Sequence, residues 1–188
     1  MVFASASSAP CKSDTTLDNW KEKLKIEAIE KGISKNTLDL AIDDFKPIKR
    51  VIELDRRQPE FTLTLDQYLK RVIPSRRIKK GRLMLAKNNK ILEKIGKKYS
   101  VQPRFIIALW GIETDFGRLD GGFSVVHSLA TLALDGRRSK FFRKELIRAL
   151  RILDQGHINI RDMRGSWAGA MGHFQFMPSS FENFAVDY

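Results

Sequence analysis

Apolar positions recur with helical spacing along most of this chain, and the interruptions mark where elements end. Leu17, Trp20, Leu24 and Ala28 share one face of a helix predicted from Thr16, its cap, to about Lys31, with Gly32 ending it. Behind the capping residue Ser34, Leu38, Ala41, Ile42 and Phe45 repeat the pattern until Pro47. Val51 to Leu54 is too brief to show a period and reads as an extended segment. Thr64 opens a short helix through Tyr68 to Ile73, which Pro74 stops. From Ser75 one long helix is expected to about Tyr99, with Ile78, Leu85, Leu92 and Ile95 on one side and lysines on the other; only Gly81 interrupts it.

The run Phe105-Ile-Ile-Ala-Leu-Trp-Gly-Ile112 is apolar almost throughout, the pattern of a core helix too short to span a membrane. Pro103 suits its first turn, and Gly117 suits the left-handed residue that ends it. A glycine-rich loop follows to Gly122; Ser124 caps a helix through Leu134, and Ser139 another to about Gln155. The loop from Gly156 to Gly165 leads into a stretch that suits neither helix nor strand, Ser166 to Ser180, and then a last helix. No internal repeat and no alternation strong enough for a sheet stands out, so the fold class is all-α.

Composition changes this picture in two respects. With 34 Lys and Arg against 22 Asp and Glu, the chain carries a net +12, which favours an anionic partner: nucleic acid, an anionic membrane surface or an acidic cell-wall polymer. Thirteen of the 34 cations fall between Lys70 and Arg104, although a lysine-covered helix face is most simply a solvated one. Cys11 is the single cysteine, so neither an internal disulfide nor a thiolate metal cluster is available. Residues 1–15 read as a flexible N-terminus; Ala4-Ser5-Ala6 fits the tail of an export signal, and Ser8-Ala9-Pro10 makes a poor lipobox before Cys11. Residues 16–188 form one helical domain.

The apolar run ends on a carboxylate, Glu113. Apolar surroundings disfavour its ionised form, so it would keep a proton near neutral pH and serve as a general acid. The alternative is a glutamate that turns outward at the helix end and meets solvent or an arginine. A second carboxylate, usual in glycosidases, is missing: Asp115 points about 200° away on a helix, Asp120 lies in a loop, and Asp162 precedes a turn. Single-acid chemistry remains open if the substrate supplies its own nucleophile, as N-acetyl sugars do. The Ser166–Ser180 segment places glycines among Trp167, Met171, Phe174 and Phe176, with Gln175 as its main neutral hydrogen-bonding side chain. Such a stretch fits either a sugar-binding wall or a tight interhelical crossing. His127, His157 and His173 show no ligand spacing, so no metal and no cofactor is expected. A nucleophile elbow and a phosphate-binding loop are both lacking.

Glu113-Thr-Asp-Phe-Gly, preceded by Ile-Ala-Leu-Trp-Gly-Ile, together with Gly165-Ser-Trp-Ala-Gly-Ala-Met-Gly-x-x-Gln-Phe-Met-Pro-Ser-Ser180, resembles the membrane-bound lytic murein transglycosylase B family, glycoside hydrolase family 103. The resemblance runs from about residue 17 to the end, and the second motif is the more specific. It implies a lysozyme-like helical catalytic domain with an N-terminal helical extension. The implied activity is cleavage of the N-acetylmuramic acid to N-acetylglucosamine bond with formation of a 1,6-anhydro end.

By position, Glu113 matches the family's acid/base, Tyr68 a cleft tyrosine, Arg137 and Arg138 a paired arginine, and Ser166 and Gln175 sugar-contacting positions. Where the family carries Glu-Thr-Arg-Trp-Gly, this chain has Asp115 and Phe116, an anion in place of a cation beside the acid. Asp187 matches the first position of a calcium loop found in some members, and the later cleft tyrosine and asparagine have no counterpart before Tyr188, which reads as C-terminal truncation. The implied partner is peptidoglycan glycan strands, without nucleic acid. The implied location is periplasmic, with peripheral or lipid-anchored attachment to the outer membrane compatible. Two rival readings stand beside this one: a non-enzymatic basic module binding nucleic acid or wall polymer, and a muramidase of the same fold that uses water.

Overall fold

In a computed structural model, residues 12–57 and 64–187 are described, and the expectations for Cys11 and the export-signal remnant lie outside them. The helices are α1 (Lys12–Glu30), α2 (Lys35–Ile42), α3 (Lys49–Arg56), α4 (Leu65–Val72), α5 (Ser75–Lys87), α6 (Asn89–Tyr99), α7 (Pro103–Thr114), α8 (Val125–Asp135), α9 (Ser139–Asp154) and α10 (Pro178–Phe184). Two-residue strands β1 (Phe123–Ser124) and β2 (Arg164–Gly165) pair antiparallel, Phe123 opposite Gly165.

Helix α8 is the centre of the larger core. Every residue from Val125 to Ala133 except His127 is buried, Ser128 and Thr131 among them, as a helix that is apolar on most of its faces requires. It packs along α9, which contributes Phe142, Leu146, Ala149 and Leu150; α1 and α2 close the cluster with Leu24, Ala28, Leu38 and Ile42. Each fully buried leucine or phenylalanine in it contributes about 1.5–3 kcal/mol. Asp154 at the end of α9 anchors the start of α2, accepting from the Ser34 hydroxyl at 2.5 Å and Thr37 Oγ1 at 2.8 Å. Those bonds, Ser34's first, hold the Asp154 carboxyl below the usual aspartate range.

A second, smaller cluster joins α5, α6 and α7 through Leu92, Ile107 and Phe116, with Met84, Leu85, Ile106 and Trp110 against it. Helix α4 is held by a capping box, in which Thr64 and Gln67 bond each other's backbone, and it buries no side chain.

Several expectations need correction. Helix α1 starts at Lys12, so Thr16 lies inside it and residues 12–15 belong to the helix, and α9 is preceded by Arg138 with no side-chain cap bond, so Ser139 is its first residue and not its cap. Lys49–Arg56 is helical rather than extended, because Val51 is drawn into the core and Asp55 is buried beside it. The long basic helix is two helices that break at Asn88, whose side-chain amide bonds the Met84 carbonyl and so competes with the backbone ladder. Gly81 is no interruption: it lies mid-helix, where a Cβ would sit 3.4 Å from the Phe116 ring.

The absence of a sheet is nearly right. The segment after β2 is built from single bridges, Gly165 to Met171 and Met171 to Phe176, so it is neither helix nor true strand. Gly165 is required there, since a Cβ would collide with the Ala170 carbonyl.

Candidate functional site

Pro103 takes the first position of α7, as expected, but the helix ends earlier than Gly117. Asp115, Phe116 and Gly117 are left-handed in succession, with φ of 50°, 63° and 76°. Two of these are not glycine, so the reversal must be stabilised by what the side chains bind. Phe116 folds back against its own helix, where a Cβ on Gly111 would lie 2.7 Å from its ring, and meets Trp110 edge-on at 5.7 Å. Asp115 is fully buried. Its carboxylate accepts from Arg118 Nε at 2.6 Å and Arg76 Nη2 at 3.3 Å, with Arg77 Nε at 3.5 Å, and Lys80 Nζ bonds its carbonyl. The Arg118 bond most of all, against the opposing effect of burial, holds the Asp115 carboxyl below the usual range.

The anion that replaces the family's cation therefore does not face the acid. Asp115 points into a nest of cations, while Glu113, two residues earlier, is exposed. The two carboxylates do diverge, but by the left-handed turn at Asp115 just past the end of α7 and not by helical spacing. The expected burial of Glu113 is not found. It has no hydrogen bond or ion pair among the described residues, and neighbouring Leu109 and Ile112 are 54% and 44% exposed. The physical reason lies in the helix: α7 turns Ile107, Gly111 and Thr114 inward, and its apolar composition continues onto a face that nothing described covers.

Thr114 joins the two motifs. Its buried hydroxyl donates to the His173 carbonyl at 2.7 Å and accepts from Gly117 N–H at 3.0 Å. The His173 ring stacks on Trp110, centroids 5.7 Å apart at 17°. One turn of the Ser166–Ser180 segment is thereby fastened to the end of the helix that carries Glu113. Within that segment Gln175 is left-handed (φ 50°), and its Nε2 donates to the Gly172 carbonyl at 3.1 Å. Ser166 Oγ accepts from Ala170 N–H at 3.0 Å. Gln175 Oε1 and the Ser166 hydroxyl proton have no partner among the described residues.

The other candidates sit on separate elements. Arg137 and Arg138 lie in the turn between α8 and α9. Both pair with the buried Asp55 of α3, Arg137 Nη1 at 3.3 Å from Oδ2 and Arg138 Nη2 at 2.7 Å from Oδ1. They remain 50% and 47% exposed, and each guanidinium keeps N–H donors beyond those bonded to Asp55. Tyr68 is 46% exposed on α4. No hydrogen bond, ion pair or ring contact among the described residues links Tyr68 or either arginine to Glu113.

Sequence reasoning missed Thr114, Asp55 and the backbone of His173. Thr114 stood inside the first motif as a hint; Asp55 had none, because its partners are about eighty positions away. It also missed an apolar cavity of about 720 Å³, whose walls include Ile106, Gly117, Met171, His173, Phe176 and Phe181. The cavity shares the His173 turn but none of the six candidate residues, so it is not the site of the polar chemistry.

A family model described as the transglycosylase SLT domain matches residues 16–188. The membrane-bound lytic murein transglycosylase B of Escherichia coli K12 is 33% identical over 123 residues, covering 65% of this chain and 34% of that protein. SltB3 of Pseudomonas aeruginosa superposes with a TM-score of 0.88 at 38% identity over 91% of this chain and 46% of its own; it has been solved with NAG-NAM-pentapeptide and with NAG-anhNAM-pentapeptide. Soluble lytic transglycosylase SltB1 of the same organism gives 0.83 at 32% identity over 89% of this chain and 57% of its own. The chain thus spans about a third of the curated relative's length (34%) and about half of these solved chains (46% and 57%).

Proposed function

Because this chain belongs to the transglycosylase SLT domain family, we propose that it is a peptidoglycan lytic transglycosylase with Glu113 as its single acid/base. The observation that carries the reading is the Thr114 bridge, which ties the helix bearing Glu113 to the turn bearing Gln175. Protonated Glu113 donates to the glycosidic oxygen as the C1–O bond of the muramic residue breaks through an oxocarbenium-like state. The substrate's 2-acetamido oxygen stabilises that cation in place of a second carboxylate. The Glu113 carboxylate then takes the C6 hydroxyl proton as O6 closes on C1, giving the 1,6-anhydro end.

Exposure of Glu113 in the free protein fits this scheme if the glycan itself supplies the dry surroundings. A strand laid over α7 removes water from Glu113 and from Leu109, one turn away on the same face. Ser166 and Gln175 offer a hydroxyl proton and an amide oxygen to sugar groups, and Tyr68 an aromatic wall. Arg137 and Arg138, oriented by Asp55, hold stem-peptide carboxylates through their remaining donors. The place of action is the periplasm, where peptidoglycan lies. No helix among the described residues is long and apolar enough to cross a membrane.

Digestion of purified sacculi followed by mass spectrometry tests the assignment. The proposal expects muropeptides one water lighter than hydrolysed ones, and Glu113→Gln is expected to bind sacculi without releasing them. Hydrated products would instead identify a muramidase, and a fully active Gln variant would remove Glu113 from its role.

A further inference from the structure

We infer that the outward face of α5 and α6 is a docking surface for an anionic phospholipid bilayer. Between Ser75 and Tyr99 the sequence holds one acid, Glu93. On α5, Lys79, Arg82 and Lys87 are exposed on one side of the helix, around Leu83, which is 66% exposed. On α6, Lys90, Lys94 and Lys97 project together by the same periodicity. Both helices bury their opposite faces against α7, so the two cationic faces look away from it.

What distinguishes this surface is the gathering of six exposed cations, none in an ion pair among the described residues, on the outward faces of two consecutive helices. Elsewhere many cations have acidic partners, Lys25 and Lys35 with Asp39, Arg143 with Glu27, Arg148 and Arg151 with Glu182, although Lys23, Lys46 and Lys49 have no such ion pair among the described residues. Lys79, Arg82, Lys87, Lys90, Lys94 and Lys97 have no such partner among the described residues. The positive charge is left open to an external anion. Neither outward face carries an aromatic ring, which disfavours single-stranded nucleic acid, where bases stack on aromatics. An exposed leucine ringed by cations suits a bilayer interface instead, with the head groups meeting the ammonium and guanidinium groups and the isobutyl group entering the acyl boundary. The inference is independent of the catalytic reading and gives a physical form to attachment without a spanning helix.

Co-sedimentation with phosphatidylcholine vesicles, with and without phosphatidylglycerol, tests it on the full chain. Binding is expected only to the anionic vesicles and is expected to fall steeply with added salt. Each cation near a charged membrane is worth about fivefold in affinity, so the triple reversal Lys79→Glu, Arg82→Glu, Lys87→Glu, which removes three cations and adds three anions, should weaken binding by at least about a hundredfold. Leu83→Ser should weaken it about tenfold. The exposed cations Lys23, Lys46 and Lys49, reversed together, change net charge equally on other elements and should have much the smaller effect. Circular dichroism confirms that each variant is folded. Equal losses from the two triple variants would overturn the inference, as would indifference to Leu83→Ser together with equal binding to a soluble polyanion such as duplex DNA.

Discussion

Replacing Thr114 by valine removes one hydroxyl while preserving side-chain volume, and the structure allows the consequence to be worked out. The hydroxyl is buried, donates to the His173 carbonyl at 2.7 Å and accepts from Gly117 N–H at 3.0 Å. Valine leaves both backbone groups without that partner. A buried group stranded in this way costs about 1–3 kcal/mol. Gly117 is only half-buried and the His173 residue is exposed, so water recovers part of the loss, and a total of about 2 kcal/mol is expected. The damage should be local. Amide exchange in residues 171–176 and around Gly117 should accelerate, while α8 and α9 keep their protection. Turnover should fall further than stability suggests, by up to about a hundredfold, because the turn carrying Gln175 loses its register on the helix carrying Glu113. Serine retains both hydrogen bonds and should restore most of the loss. Urea denaturation, residue-resolved hydrogen exchange and a sacculus digestion assay on the wild type and the two variants make the comparison. If valine leaves exchange and turnover unchanged, or serine is as damaging as valine, the bridge does not have the role assigned to it.

Three further substitutions probe other features. Asp115→Asn removes a charge whose folded pKa is depressed, so the stabilisation it contributes is present above about pH 4, the unfolded value, and is lost as pH falls through the folded value. The melting-temperature gap between wild type and Asp115→Asn should therefore be widest near neutrality and narrow on acidification; a gap that widens in acid contradicts the assignment. Gly165→Ala pushes a methyl group into the Ala170 carbonyl and should cost about 1–3 kcal/mol, a fall of about 5 °C in Tm by calorimetry, whereas Gly136→Ala, with nothing around its Cβ, should show only the smaller strain of its φ of 91°.

What could be read from sequence divides along a physical line. Wherever an element is amphipathic and capped, periodicity sufficed: Ser34, Thr64 and Ser124 all accept from the backbone N–H three residues ahead, and α9 buries the face its spacing demands. Where tertiary contact decides, it failed. Val51 to Leu54 has no local period because its helix is stabilised by α8, and the break at Asn88 depends on one side-chain amide. For the site, the two motifs were visible as strings of residue types, but the link between them runs through a backbone carbonyl, which no side-chain pattern encodes. Exposure of Glu113 was invisible for a related reason. Apolar content says that a helix has partners, not which of its faces has them.

The division into two clusters has a bearing on how the protein would fail. Glu113 rides on α7, within the cluster that among the described residues buries only Leu92, Ile107 and Phe116, whereas the other encloses most of α8. The acid is thus mounted on the softer half of the molecule. Gentle warming should extinguish bond cleavage some degrees before the main body melts, so heat inactivation would report the loosening of one small lobe and not the collapse of the whole chain.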